Sequence, residues 1–274
     1  MTGYMTQPVN RIFSSTCTEQ VHSLRVMSFN IAHGMGMDGR VDLRRTAEVI
    51  ENSGADIIGL QEVDNHFSER SGFTNQVADL ARWLGMNYSY GANVIEPPLL
   101  PGLPARQYGN ALLSRFPIKY TKNHLYTKAS SFSEDPELRG LLESTIDLGG
   151  TFLSFFNTHL SLGEKEQREN LKQLLAITND SVFPAVITGD FNLSPEHPQL
   201  SEFRKAYTDS FSRTGMETAY TFPAYYEDVR SAVTAIPASR IDYIFTDQST
   251  IIEKTEVLET SAADHLPIIA DLLV

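Results

Sequence analysis

Asp190 and Asn192 stand two residues apart where the apolar run Val186-Ile187-Thr188-Gly189 stops. In extended backbone, residues i and i+2 share a side, so this carboxylate and amide can point into one site. Together they can orient a water or join a cation's shell. Asp and Asn are also common turn formers, so the pair taken alone reads as a strand-end turn. The same pattern recurs along the chain. Asn30 interrupts the apolar stretch LRVMSFNIA, and Glu62 follows the run IIGLQ. His159 closes Asn157-Thr158-His159, Asp242 lies inside RIDYIF, and Asp264-His265 separate the last two apolar runs. A buried Asn must fill its hydrogen-bonding capacity, so Asn30 is either a structural bracket or a site residue. Oxygen-rich, thiol-free groups of this kind suit a hard cation such as Mg²⁺ or Mn²⁺. A zinc site would use more His or Cys.

The elements that must carry these residues follow from apolar periodicity. Strands are expected at Leu24 to Ala32, Asp56 to Gln61, Asn110 to Arg115, Lys119 to Tyr126, Leu141 to Asp147, Thr151 to Leu160, the run to Asp190, Arg240 to Thr246, Ile251 to Leu258 and Leu266 to Leu273. Gly149-Gly150 marks a hairpin turn between two of them. A helix is expected at Leu43 to Asn52, capped by Asp42 and stopped by Gly54. A second is expected at Thr74 to Leu84, with Thr74 as its cap, Gly85 beyond its end and Trp83 used for packing. Ser161-x-x-Glu164 has the form of a capping box for a third. Ser194-Pro195 has the form of a helix start. Residues 91–109, with four prolines and three glycines, read as a long irregular loop, either one that faces substrate or equally a floppy insertion. Strands outnumber helices and several links have hairpin length, which indicates an α/β protein with mixed sheets.

The chain has 274 residues and a formal net charge of −12. Its length allows one large domain or two small ones. The acidity argues against strong nonspecific binding to duplex DNA, which needs its phosphates neutralised by Lys and Arg. The one cysteine, Cys17, excludes an intrachain disulfide. No apolar run approaches a membrane span, and the first 22 residues hold no signal-peptide core. Residues 1–22 therefore read as a loose extension, residues 23–274 as a single domain, and the cytoplasm as the expected compartment.

One motif points elsewhere. Gly34-Met35-Gly36-Met37-Asp38-Gly39 matches G-x-G-x-x-G, and Glu62 at the next strand end could hold a ribose hydroxyl, as in a dinucleotide-binding unit. Three features oppose that reading. The helix cap Asp42 lies beyond the third glycine, Asn30 breaks a strand that should be apolar throughout, and the chain does not continue as β-α-β. A non-catalytic binding module is the other alternative. It is disfavoured by the retention of Glu62, Asp190, Asp264 and His265 together.

FNIAHG, IIGLQEVD, FFNTHLS, VITGDFN, RIDYIF and AADHLPI occur in that order. The sequence thereby resembles the endonuclease/exonuclease/phosphatase superfamily across residues 24–274. The resemblance implies a DNase I-like fold, a four-layer α/β sandwich of two packed mixed β-sheets flanked by helices. It also implies divalent-metal-dependent hydrolysis of a phosphoester with Mg²⁺ or Mn²⁺ as cofactor. A phosphodiester is the expected substrate, from a small molecule, lipid headgroup or nucleic acid. A monoesterase of a sugar or lipid headgroup phosphate, or a nuclease, is the alternative. By motif, Glu62 would be the main metal ligand, with Asn30 and Asp264 completing the metal's water shell. Asp190 would polarise the attacking water and Asn192 orient it. His265 would contact the scissile phosphate, its tautomer fixed by Asp242. His159, where abasic endonucleases carry tyrosine, would donate to a non-bridging oxygen. The resemblance leaves open whether Asp190 or His265 is the general base. The Arg106-Gln107-Tyr108-Gly109-Asn110 segment resembles small bacterial members known only as metal-dependent hydrolases. Arg106, Asn110 and Arg139 are the candidates for meeting substrate, although each arginine taken by itself reads as a solvated surface residue. The loops at 91–109, 127–139 and 212–239 would shape the pocket.

Overall fold

The computed structural model describes residues 21–128, 137–228 and 233–274. Two six-stranded mixed sheets pack face to face. In chain order the strands are β1 (Ser23–Asn30), β2 (Ile57–Asn65), β3 (Asn87–Glu96), β4 (Arg106–Ser114), β5 (Ile118–Leu125), β6 (Gly140–Asp147), β7 (Phe152–His159), β8 (Ala185–Asp190), β9 (Thr208–Asp209), β10 (Tyr226–Asp228), β11 (Val233–Ala235), β12 (Asp242–Thr246), β13 (Ile251–Val257) and β14 (Ile268–Leu273). The first sheet runs β13-β14-β1-β2-β4-β3 and the second β5-β6-β7-β8-β12-β9, with β10 and β11 forming a separate ribbon. The α-helices are α1 (Leu43–Ser53), α2 (Gln76–Leu84), α3 (Glu164–Asn179), α4 (Leu200–Ala206) and α5 (Ser210–Arg213).

Burial explains the layering. β8 is buried at every residue and β1 is buried through Val-Met-Ser-Phe-Asn, the continuous apolar reading of a strand covered on both faces. One side of the first sheet packs against α1 and α2 through Phe29, Ile58, Leu60, Ile50, Val77 and Leu80. The outer side of the second packs against α3 and α4 through Phe156, Ile187, Phe245, Leu174 and Phe203. Between the sheets lie Val26, Ile57, Leu112, Phe155, Val186 and Ile244. Helix, sheet, sheet, helix is the expected four-layer sandwich.

Polar groups interrupt the seam between the sheets directly below the strand ends. Asn157 of β7 donates to the carbonyls of Leu60 at 2.7 Å and Ala111 at 2.9 Å, both in the first sheet. Its Oδ1 accepts from Gln61 Nε2 at 2.6 Å and from Thr188 at 3.1 Å. Gly59 lies against this bracket because nothing larger fits. A Cβ there would sit 2.1 Å from Thr188 Oγ1 and 2.8 Å from Asn157 Oδ1.

The structure revises several element boundaries. α1 is capped by the Asp42 carboxylate and ended by left-handed Gly54, as the sequence indicates. α2 starts later than expected: Asn75 caps it by accepting from Ala78 N, while Thr74 Oγ1 donates back to Ser71 O. α3 begins at Glu164 behind Gly163, so Ser161 closes no capping box. Instead its backbone N–H donates to buried Asn170 Oδ1. Ser194-Pro195 starts no helix, and α4 begins at Leu200. The long loop at 91–109 is mostly strand, with β3 and β4 leaving only residues 97–105 as the hairpin tip. Gly109 misled the sequence reading because its role is close approach: a Cβ there would lie 2.0 Å from Gly91 O. The glycine-rich turn at 34–39 has spent its donors. Gly36 N bonds Arg40 O, Met37 N bonds Ser261 O and Gly39 N bonds Gly36 O, so it offers no cradle for a pyrophosphate. Cys17, most of the expected N-terminal extension, and the loop segments 129–136 and 229–232 lie outside the described residues.

The seam gives a direct test. Gly59→Ala is expected to lose about 1–3 kcal/mol of stability by overpacking, measured by urea unfolding. Adding Thr188→Ala, which removes the nearer obstacle, should recover part of the loss. A fully stable Gly59→Ala would mean that the sheets can part at this point.

Candidate active site

Neighbouring strand ends bring the chemistry-bearing residues together. Asn30 ends β1, His159 ends β7 and Asp190 ends β8, while Asp242 begins β12. His159 is paired in register with Asp190, and Asp190 with Asp242. Asp264 and His265 come from the turn before β14. That turn is braced by Thr221 O, which accepts from Leu266 N at 2.8 Å, and by Asp264 O, which accepts from Ala224 N at 2.6 Å.

Asn30 links the two sheets. Its amide Nδ2 donates to Glu62 Oε1 at 3.0 Å and to Asp190 Oδ2 at 3.1 Å. Its Oδ1 accepts from Ala32 N at 3.1 Å, which fixes the amide's orientation. Glu62 reaches this position through a bulge. The β2–β4 register moves from Leu60 opposite Ala111 to Val63 opposite Gly109, so Gln61 and Glu62 together face Asn110. Glu62 there has φ 59°, and Asn192 has φ 52°. Left-handed backbone at non-glycine residues is a strain that structures hold where a side chain must be aimed. Asn192 is pinned on three sides. Its N–H donates to Asp190 Oδ1 at 2.9 Å, its Nδ2 to Leu160 O at 3.0 Å, and its carbonyl accepts from Gln167 Nε2 at 3.0 Å.

Two histidines flank Asp190 and differ in charge. His265 Nδ1 meets Asp242 Oδ2 at 3.0 Å, and its Nε2 lies 3.6 Å from Asp190 Oδ2. Burial opposes a charge on this imidazole, but Asp242, Asp190 and Asp264 outweigh it and push its pKa up to about 10. Phe222 packs its ring 4.7 Å from the imidazole centroid. His159 is the opposite case. Arg139 Nη1 lies 2.9 Å from its Nδ1. A guanidinium can only donate, so Nδ1 carries the lone pair and Nε2 the hydrogen. That Nε2 lies 3.4 Å from Asp190 Oδ2. Burial, then the Arg139 charge, then His265 hold His159 well below the usual histidine range. Asp190 is raised to about 7, chiefly by burial, with Asp242 adding to the effect and His265 opposing it. Burial also raises Asp264, and Glu62 and Asp242 push the same way against His265.

Asn30 thus joins Glu62 to Asp190, Asp190 and Asp242 are paired across the strand ends, and Asp264 feels the charges of Glu62 and Asp242; oxygen donors of this kind suit a hard divalent cation. Asp190, Asp242 and His265 also bring ligand-type atoms within 4.8 Å of one another, so this group could bind a metal. Of the three expected substrate-facing residues, Arg139 is in the site and buried, not solvated. Asn110 lies beneath, donating to Gly140 O at 3.1 Å as a brace between the sheets. Arg106 is engaged by the hairpin tip, donating to Pro97 O at 2.9 Å. The sequence reading missed Gln61, Asn157 and Gln167. Asn157 was accessible from strand alternation, because it shares a face with Phe155 and His159.

The neutral state of His159 is testable. A histidine with a depressed pKa binds no proton in the fold while the unfolded chain takes one up, so its contribution to stability falls as pH drops below about 6.5. Nitrogen NMR should show a neutral Nε2–H tautomer at pH 5.5. Arg139→Met should move its titration upward; an unchanged titration would remove Arg139 as a cause.

Comparison with known proteins agrees with this architecture. The sequence profile of the Endonuclease/Exonuclease/phosphatase family matches residues 27–265. The uncharacterized protein YbhP of Escherichia coli K12 is 26% identical over 270 residues, covering 92% of this chain and 97% of its own. An endonuclease/exonuclease/phosphatase from Beutenbergia cavernae superposes with a TM-score of 0.70 at 25% identity, over 91% of this chain and 71% of that one. The mannosyl-6-phosphatase of Bacteroides thetaiotaomicron gives a TM-score of 0.70 at 20% identity, over 92% of this chain and 100% of that one.

Proposed function

The chain belongs to the Endonuclease/Exonuclease/phosphatase family, whose members hydrolyse phosphoesters, and from that premise we propose that it is a divalent-metal-dependent phosphodiesterase. One observation carries the reading. The Asn30 amide holds Glu62 and Asp190 side by side across two sheets, within reach of the Asp242–His265 pair.

The roles follow from this arrangement. Glu62 and Asp264 would hold Mg²⁺ or Mn²⁺, with Asn30 orienting Glu62. The Asp190–Asp242–His265 group is the less suitable cage, because His265 Nδ1 and Asp242 Oδ2 already satisfy each other at 3.0 Å. The cation would supply Lewis-acid stabilisation of the phosphoryl oxygens and acidify a bound water. Asp190, raised towards neutrality and beside Asn192, accepts the proton of the attacking water. His265 is already charged by its carboxylate neighbours, which suits it to donate from Nε2 to the phosphate, not to act as base. His159, neutral with hydrogen on Nε2, donates to a non-bridging oxygen as charge builds there. Asp242 holds the His265 ring and its tautomer.

A monoesterase is the second reading. A phosphomonoester carries one more negative charge than a diester, and the Arg139 guanidinium and the His265 imidazolium both stand in the site. The mannosyl-6-phosphatase fold match points the same way. Bis(p-nitrophenyl) phosphate against p-nitrophenyl phosphate, each with EDTA, Mg²⁺ and Mn²⁺, separates the two. Diester turnover that requires metal supports the main proposal. Monoester turnover alone replaces it with the second reading, and silence on both counts against hydrolysis.

Two substitutions assign the roles. Asp190→Asn should stay folded and lose about a hundredfold to ten-thousandfold in turnover; near-normal turnover would transfer the base to His265. Glu62→Gln should weaken activity and metal affinity together and regain some activity at high Mn²⁺. Unaltered metal dependence would take Glu62 out of the metal's shell.

A further inference from the structure

Arg70 is anchored more firmly than a half-exposed arginine requires. Asp64 is fully buried two residues beyond Glu62 on β2. Arg70 grips it with both Nε, at 3.0 Å, and Nη2, at 2.7 Å. Ser71 Oγ adds a 2.7 Å bond to the same carboxylate. The guanidinium carbon also lies 5.1 Å from the ring centroid of Phe67 and 5.4 Å from that of Tyr108. A guanidinium held by two parallel bonds and packed against aromatic rings has little rotational freedom left to lose on binding. Its Nη1 edge donates to none of the described residues, and the side chain keeps 38% of its exposure.

The location ties this cation to the catalytic end of the sheets. Asp64 is paired with Tyr108 across the antiparallel β2–β4 ladder, and paired residues share a face. Asn110, two residues along the same face of β4, reaches Gly140 O of the second sheet. Tyr108, Asp64 and the Arg70 above them therefore lie on the face that the sheets share, next to the bulge that aims Glu62. Electrostatics agree: burial raises the Tyr108 phenol, Glu62 and Glu137 raise it further, and Arg139 and Arg70 oppose them. Asp64 neutralises the guanidinium as a whole, so what Arg70 offers on this face is the hydrogen-bonding capacity of its outer Nη1 edge.

We propose that Arg70 receives a second anionic oxygen group of the substrate, a phosphate or carboxylate separate from the ester being cleaved. This rests on the phosphoester-hydrolase reading and narrows it: the substrate is a multiply charged molecule, with its additional charge directed to the β2–β4 side of the site. Asp64 is the positioning residue that fixes Arg70, and Phe67 and Tyr108 form the wall beside it.

The test measures binding by calorimetry in excess Mg²⁺, so it does not depend on turnover. Methylphosphonate is the reference. Against it run two ladders, alkane bisphosphonates from methylene to hexamethylene and the matching phosphonocarboxylates. At least one member should bind about tenfold tighter than methylphosphonate, the value of a charge-assisted contact. The ladder to which it belongs distinguishes a phosphate from a carboxylate. In Arg70→Met that advantage should vanish, and in Arg70→Lys it should persist in part. Melting temperatures report folding; if Arg70→Met does not fold, Asp64→Asn and Arg70→Lys carry the test, and an advantage undiminished in both overturns the proposal. So does the absence of any advantage in the native protein. Turnover of bis(p-nitrophenyl) phosphate is measured in parallel. Turnover without an advantage defeats only the anion site, and an advantage without turnover defeats only the hydrolase reading.

Discussion

At Gly59 the two sheets lie too close for a Cβ, and the placement of the site depends on that contact. A single amide, that of Asn157, holds two carbonyls of the opposite sheet and accepts from Gln61. Buried polar groups are costly unless satisfied, so this bracket tolerates only one relative position of the sheets. One layer higher, Asn30 spans the same gap between Glu62 and Asp190. Apolar packing drives the sheets together, and these amides set their register.

The site's electrostatics follow from the same geometry. Strand ends that would otherwise face water converge at the top of a dry seam, where carboxylates and imidazoles interact strongly. Identical side chains then diverge in state. His265 faces Asp242 and carries charge, whereas His159 faces Arg139 and stays neutral. Of the six left-handed non-glycine residues among those described, Glu62 and Asn192 mark where the backbone is bent to aim a side chain into the site. Strain and burial are thus concentrated at one end of the sandwich, over a conventionally packed core.

Much of this was readable from the chain. Polar residues at the ends of apolar runs marked Asn30, His159, Asp190 and Asp242, because a buried strand has few other reasons to carry them. Asp42 and Gly54 bounded α1, since their capping chemistry is local. Local rules failed where tertiary contacts decided. Gly109 looked like a turn former and is a strand residue pressed against Gly91 O. Asn75 displaced Thr74 as a cap, and Ser161 was drawn to Asn170 instead of capping α3. Arg139 looked like a surface residue because nothing in sequence pairs it with His159. The Asp64–Arg70 clamp went unnoticed for a related reason: its partners are close in sequence, but its place beside Tyr108 depends on the β2–β4 register.

The Asn30 bridge also bears on how the protein fails when stressed. Each sheet can keep its internal hydrogen-bond ladder while the contact between sheets loosens. A separation of one or two ångströms would leave secondary structure intact and break both bonds of the bridge. The reactive geometry is therefore a property of docking between layers, not of either sheet alone. Any loosening of that docking would silence the site while the circular dichroism of the sheets stayed unchanged.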